Sequence, residues 1–115
     1  MRLPNVDQAR VTESKISEYL LALGHPTGRD KARFFRALGF DSDRPFELRG
    51  ALLNHAASHT VSSVQQTRFG AKYVIDGRIV GPTGRTAQIR SVWVVAQGEG
   101  FPRLVTAYPL RGAER

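Results

Sequence analysis

The chain contains no cysteine, which excludes disulfides, thiolate metal sites and cysteine nucleophiles and is compatible with a reducing compartment. Acidic residues are scarce as well: 10 Asp and Glu stand against 17 Lys and Arg. No run approaches the roughly 20 apolar residues that span a bilayer, and the opening stretch from Met1 to Asp7 lacks the apolar core of a signal peptide. The expectation is a soluble, cytoplasmic protein. There are 3 histidines, so imidazole chemistry must rest on His25, His55 or His59.

The 115 residues are 41% apolar, enough for one core and too few for two ordinary domains, so residues 1–115 are expected to form a single domain. The net charge of +7 is uneven. Residues 1–60 carry nine basic against seven acidic residues, and residues 61–115 eight against three. A basic surface favours polyanions, nucleic acid above all, through phosphate neutralisation and counterion release. Charge retained for solubility is the other reading, and both stand at this point.

Thr12 or Ser14 can cap a first helix over about 12–23, in which Ile16, Tyr19, Leu20 and Leu23 recur at helical spacing. Gly24 and Pro26 end it, and the proline holds His25 in an extended conformation. A second helix is expected from Gly28 or Arg29 to Leu38, with Ala32, Phe35 and Leu38 inward and Gly39 as its stop. Asp41 to Pro45 offer an Asp cap and a proline at the first helical position of a third helix, Pro45 to Ser58, whose apolar face is Leu48, Leu52, Leu53 and Ala56.

After Thr60 the pattern changes to period two and to Val, Ile, Thr, Tyr and Trp. Four strands are expected at about 61–67, 71–80, 86–96 and 103–109, with turns at Phe69-Gly70, Gly81-Pro82-Thr83-Gly84 and Gln97 to Gly100. Such short connections imply an antiparallel meander. Asp76-Gly77 is a further turn signal, read here as a bulge within the second strand. The fold class is therefore α+β, with N-terminal helices on one face of a four-stranded antiparallel sheet.

Alternation along the third strand places Ile89, Trp93 and Val95 in the core and Gln88 and Arg90 on the opposite face. In the fourth, Leu104, Thr106 and Tyr108 share a face, with Val105 and Ala107 opposed. If Val105 and Ala107 pack under the helices, Thr106 and Tyr108 stand beside Arg90. Taken singly, each has a plainer explanation. Arg90, Lys31 and Arg33 can be solvated charges, Thr106 and Tyr108 simple strand formers, and His25 a helix-terminating residue. His55 and His59, four apart on the third helix, suit a solvated face better than a metal site, because no third ligand accompanies them.

As a set, His25, Lys31, Arg90, Thr106 and Tyr108 contain every part needed to cleave RNA without a metal or other cofactor. The reaction needs a group to accept the 2′-hydroxyl proton, a group to protonate the leaving oxygen, and cations or hydroxyls to stabilise the phosphorane. In this expectation His25 is general base or acid, Lys31 and Arg90 stabilise phosphate, Thr106 donates a hydrogen bond, and Tyr108 stacks or donates a proton. Arg33 and Gln88 would bind substrate. A non-catalytic module that holds RNA or a protein on the same basic sheet is the alternative.

The pieces Tyr19-Leu20-Leu21, His25-Pro26-Thr27-Gly28, Lys31-Ala32-Arg33-Phe34-Phe35, Leu38-Gly39-Phe40, Ser91-Val92-Trp93 and Thr106-Ala107-Tyr108-Pro109 resemble an uncharacterised bacterial domain family. It occurs as short standalone proteins and as C-terminal cargo of polymorphic toxins and phage-associated proteins. Where its members commonly read His-Pro-x-Gly-Gly-Ser-Lys-Ala, this chain has Arg29-Asp30 in place of the small pair. The layout is also similar to the barnase-EndoU-colicin-RelE group of toxin ribonucleases. That resemblance implies metal-independent RNA cleavage by His, Lys, Arg, Thr or Tyr on the sheet and adjoining helix, and neutralisation by an acidic antitoxin or immunity protein.

Overall fold

A computed structural model describes residues 1–16, 20–21 and 29–110. A short 3₁₀ turn at Val6–Gln8 precedes helices α1 (Glu13–Lys15), α2 (Arg29–Ala37) and α3 (Pro45–Ser58), then strands β1 (Val61–Thr67), β2 (Gly70–Val80), β3 (Thr86–Ala96) and β4 (Arg103–Pro109). The strands form one antiparallel sheet in the order β1-β2-β3-β4. This is the expected α+β arrangement.

Thr12 caps α1 by accepting a hydrogen bond from the Lys15 amide at 3.2 Å. Ile16 and Leu20 of the expected first helix are buried, as is Leu21; Tyr19, Leu23, Gly24 and Pro26 lie outside the described residues. Ala32, Phe35 and Leu38 point inward from α2 as their spacing requires. At α3 the proline occupies the first turn, but Asp41 is not the cap. Its carboxylate instead accepts from the Asp43 amide in a local turn, and Arg44 takes the cap position with no side-chain bond.

The helices cover the face of the sheet that carries Ile75, Ile79, Ile89, Trp93, Leu104 and Ala107, and these join the helical Ile16, Leu20, Phe35, Leu48, Leu52 and Ala56 in one core. Two expectations about the strands are overturned. Asp76-Gly77 is neither turn nor bulge, because β2 pairs with β3 without interruption from Gly70↔Ala96 to Val80↔Thr86. Glycine is needed there for space: a Cβ would stand 2.3 Å from Cδ2 of His59. The bulges lie elsewhere, at Ser62 in β1 and at Val105 in β4. The second turns Leu104 into the core beside Trp93 and leaves Val105 exposed, so Leu104 does not share the face of Thr106 and Tyr108.

Gly39 ends α2 with φ of 102°, a left-handed conformation that costs a side-chain-bearing residue about 1–2 kcal/mol. A Cβ there would also press on Thr83 at 3.2 Å. Gly39→Ala is accordingly expected to lose about 1–2 kcal/mol in urea unfolding, with no change in the slope of the transition.

Candidate functional site

The sheet face turned away from α3 carries the polar residues. Pairing sets them in rows: Asp76 opposite Arg90 opposite Tyr108, and Val74 opposite Val92 opposite Thr106. Directly paired residues share a face and stand about 5 Å apart. Arg90 is held by a bidentate ion pair with Asp76, Nε donating to Oδ1 at 2.7 Å and Nη2 to Oδ2 at 2.9 Å. That carboxylate, with a further hydrogen bond to the Tyr108 hydroxyl, raises the pKa of Arg90 and keeps it cationic.

α2 packs along β4, and from its first turn Lys31 reaches the same face. Its ammonium donates to Oγ1 of Thr106 at 3.0 Å and lies 5.9 Å from the centre of the Tyr108 ring. Because the lysine has only donors, Thr106 must be the acceptor in this bond, and its own O–H stays free to donate elsewhere. Two cations, two hydroxyls and one orienting carboxylate thus converge from α2, β2, β3 and β4.

Of the residues singled out by sequence, Lys31, Arg90, Thr106 and Tyr108 are brought together. Gln88 is half-buried on the same face, two positions from Arg90 along β3. Arg33 is exposed on α2, and a spacing of two on a helix turns it away from Lys31. His25 lies outside the described residues.

Asp76 was missed. Its signal was present in the hairpin arithmetic, since 76 and 90 are equidistant from Thr83, the centre of the connection between Val80 and Thr86. The Asp-Gly pair read as a bulge concealed it.

His55 is a second correction. It does not lie on a solvated face but is 1% exposed, beneath α3 against the sheet. Its Nε2 is 3.2 Å from the Gly77 carbonyl, and its Nδ1 is 3.1 Å from Ser91 Oγ. A carbonyl only accepts, so Nε2 carries the proton and Nδ1 accepts from the Ser91 hydroxyl. Ser91 in turn accepts from Trp93 Nε1 at 2.8 Å. Burial, with the charge of nearby His59, lowers the His55 pKa to about 4, the Gly77 carbonyl and Asp76 opposing. His59 donates from Nδ1 to the His55 carbonyl at 2.8 Å and is half-buried. Neither histidine faces the Lys31 cluster, and among the described residues no group of three or more His, Asp or Glu is placed to share a metal ion.

A family model described as a domain of unknown function, DUF6883, matches residues 2–111. The chain belongs to the DUF6883 family. Among curated proteins none matches this DUF6883 domain significantly. Among solved structures it is similar to a chain of a contact-dependent growth inhibition toxin–immunity protein complex from Klebsiella pneumoniae 342, with a TM-score of 0.68 and 17% identity over 90% of this chain and 95% of that one. At that identity the likeness establishes a shared fold. Among the described residues no helix of the DUF6883 domain is long and apolar enough to cross a membrane.

Proposed function

We propose that this domain is a toxin-like endoribonuclease that cleaves RNA by attack of a 2′-hydroxyl on the adjacent phosphate, without a metal, and that an acidic immunity or antitoxin protein holds it in check. The observation that carries the reading is the convergence of Lys31, Thr106, Tyr108 and Arg90, from separate elements, on one sheet face. Lys31 and Arg90 stabilise charge on the phosphorane, the free O–H of Thr106 donates to a phosphate oxygen, and Tyr108 stacks on a base or donates a proton. His25 is the general base or acid. Asp76 fixes the guanidinium of Arg90 in place, as a positioning residue.

Two further facts support this reading. The fold is shared with a chain of a toxin–immunity complex, and a charge of +7 with a pI near 10.8 suits a protein that handles RNA and is covered by an acidic partner.

The test is incubation of the purified protein with end-labelled total bacterial RNA, with and without EDTA, beside a His25→Ala control. Discrete fragments that persist in EDTA and vanish in the control are expected. Intact RNA in a stoichiometric, salt-sensitive complex would replace the enzyme by an RNA-binding module.

A further inference from the structure

The open face continues past the Lys31 cluster into a line of cations. Lys72 pairs with Val94, and Val94 with Arg103. Arg10, in the segment before α1, forms a parallel bridge with Arg103, sealed by bonds from the Arg10 amide to the Pro102 carbonyl at 2.9 Å and from the Leu104 amide to the Arg10 carbonyl at 3.0 Å. Paired residues share a face, so Lys72, Arg103 and Arg10 stand in one row across the sheet on the side of Arg90 and Tyr108.

Both guanidinium groups in the row lie against Phe101, the Cζ of Arg10 at 4.0 Å from the ring centre and that of Arg103 at 5.0 Å. Glu99 offsets one charge, accepting from Arg103 at 3.0 and 2.7 Å. Lys72 is half-buried and Arg10 is exposed, with no side-chain hydrogen bond from its guanidinium among the described residues. A guanidinium over an aromatic ring keeps N–H donors for phosphate and a delocalised surface for a base.

Val94 and Arg90 are four positions apart on β3, about 13 Å at strand spacing. One phosphate cannot touch both rows.

We infer that Arg10, Lys72, Phe101 and Arg103 form a second subsite for single-stranded RNA, holding two phosphates and a base further along the strand than the phosphate at Lys31 and Arg90. The subsite rests on the RNA reading above, although not on catalysis. RNA laid along β3 and β4 would engage both rows at once, which sets a minimum substrate length and explains why the N-terminal segment is bonded to the edge of β4.

The experiment measures anisotropy of a labelled short single-stranded RNA carrying 2′-O-methyl groups, which cannot be cut by this chemistry, over a range of salt concentrations. Arg10→Gln with Lys72→Gln is expected to reduce the slope of log affinity against log salt by about 1.4, from roughly 0.7 per phosphate contact, and to weaken binding about tenfold at ~0.1 M salt. Arg2→Gln with Arg44→Gln removes the same charge from the two ends of α3 and is expected to leave the slope as it was. Lys72→Gln alone, which leaves the Arg10 bridge untouched, is expected to give about half the change and guards against loss of the N-terminal segment. Equal slopes in the two double variants, or no binding by the parent protein, would overturn the subsite. Since the probe cannot be cleaved, a failure of the ribonuclease reading registers only in the total-RNA assay.

Discussion

Acidification from neutral pH to about 4 is expected to cost the fold roughly 3 kcal/mol through His55 alone. Its pKa is lowered from 6.5 to about 4 by burial and by His59, so the unfolded chain binds a proton on this residue that the folded chain refuses. The stabilisation is therefore complete above pH 6.5 and is lost as the pH falls from there to about 4. The refusal has a geometric cause. Nδ1 is committed to accepting from Ser91, and a proton there would turn two donors against each other while the charge is sealed from water.

His55→Phe should remove this part of the acid sensitivity. It should also cost about 2–4 kcal/mol at neutral pH, because the Ser91 hydroxyl and the Gly77 carbonyl each lose a partner in a dry site. Urea unfolding of both proteins across the pH range reads both effects. Should the phenylalanine variant not fold, Ser91→Ala supplies the check: it strands Trp93 Nε1 and frees Nδ1 for a proton, which raises the His55 pKa and flattens the acid dependence. An acid profile unchanged in both variants would show that His55 is not the titrating group.

Lys31→Ala is expected to reduce RNA cleavage about 10²–10³-fold, the usual loss on removing one preorganised group that stabilises developing negative charge. Stability should change far less, by about 1 kcal/mol, since the side chain is only half-buried and its bond to Thr106 is of the ordinary kind between a charge and a hydroxyl. Thr106 separates this role from simple packing. Thr106→Ser keeps both the acceptor for Lys31 and the free donor and should retain most activity, whereas Thr106→Val removes both and should approach the Lys31→Ala rate. Lys31→Arg should restore little, because a planar fork cannot occupy the place of a compact ammonium beside Oγ1. Full cleavage by Lys31→Ala would remove the cluster from the chemistry.

Much of this architecture is legible in the sequence. The bounds of α3 follow from proline at its first position and Ser58 before the β-rich stretch, and all four strands follow from period-two runs closed by Gly-containing turns. From alternation and the hairpin turn, Arg90 and Tyr108 could be placed on one face and then side by side. These features are local, set by the preferences of residues within a few positions of one another.

What local pattern could not carry is whatever depends on two elements meeting. His55 read as half of a solvated pair because its spacing to His59 says nothing of what α3 lies on; packed over Gly77 and Ser91, it becomes the acceptor at the end of a buried chain of bonds. Gly77 read as turn punctuation, yet its missing side chain serves the imidazole of His59 across the interface. The extra residue at Val105 slips the alternation of β4 by one position, so Leu104 enters the core while Thr106 stays with Lys31.

Composition, periodicity and turn chemistry by themselves determined the α+β class, the bounds of α3 and of the four strands to within a residue, and the basic charge. Only the tertiary structure decided that Lys31 reaches Thr106, 75 positions away in sequence, that Asp76 holds Arg90, and that Arg10 joins Arg103 around Phe101. Contacts of that separation come from packing one element against another, and no nearest-neighbour preference encodes which side chains will then share a face.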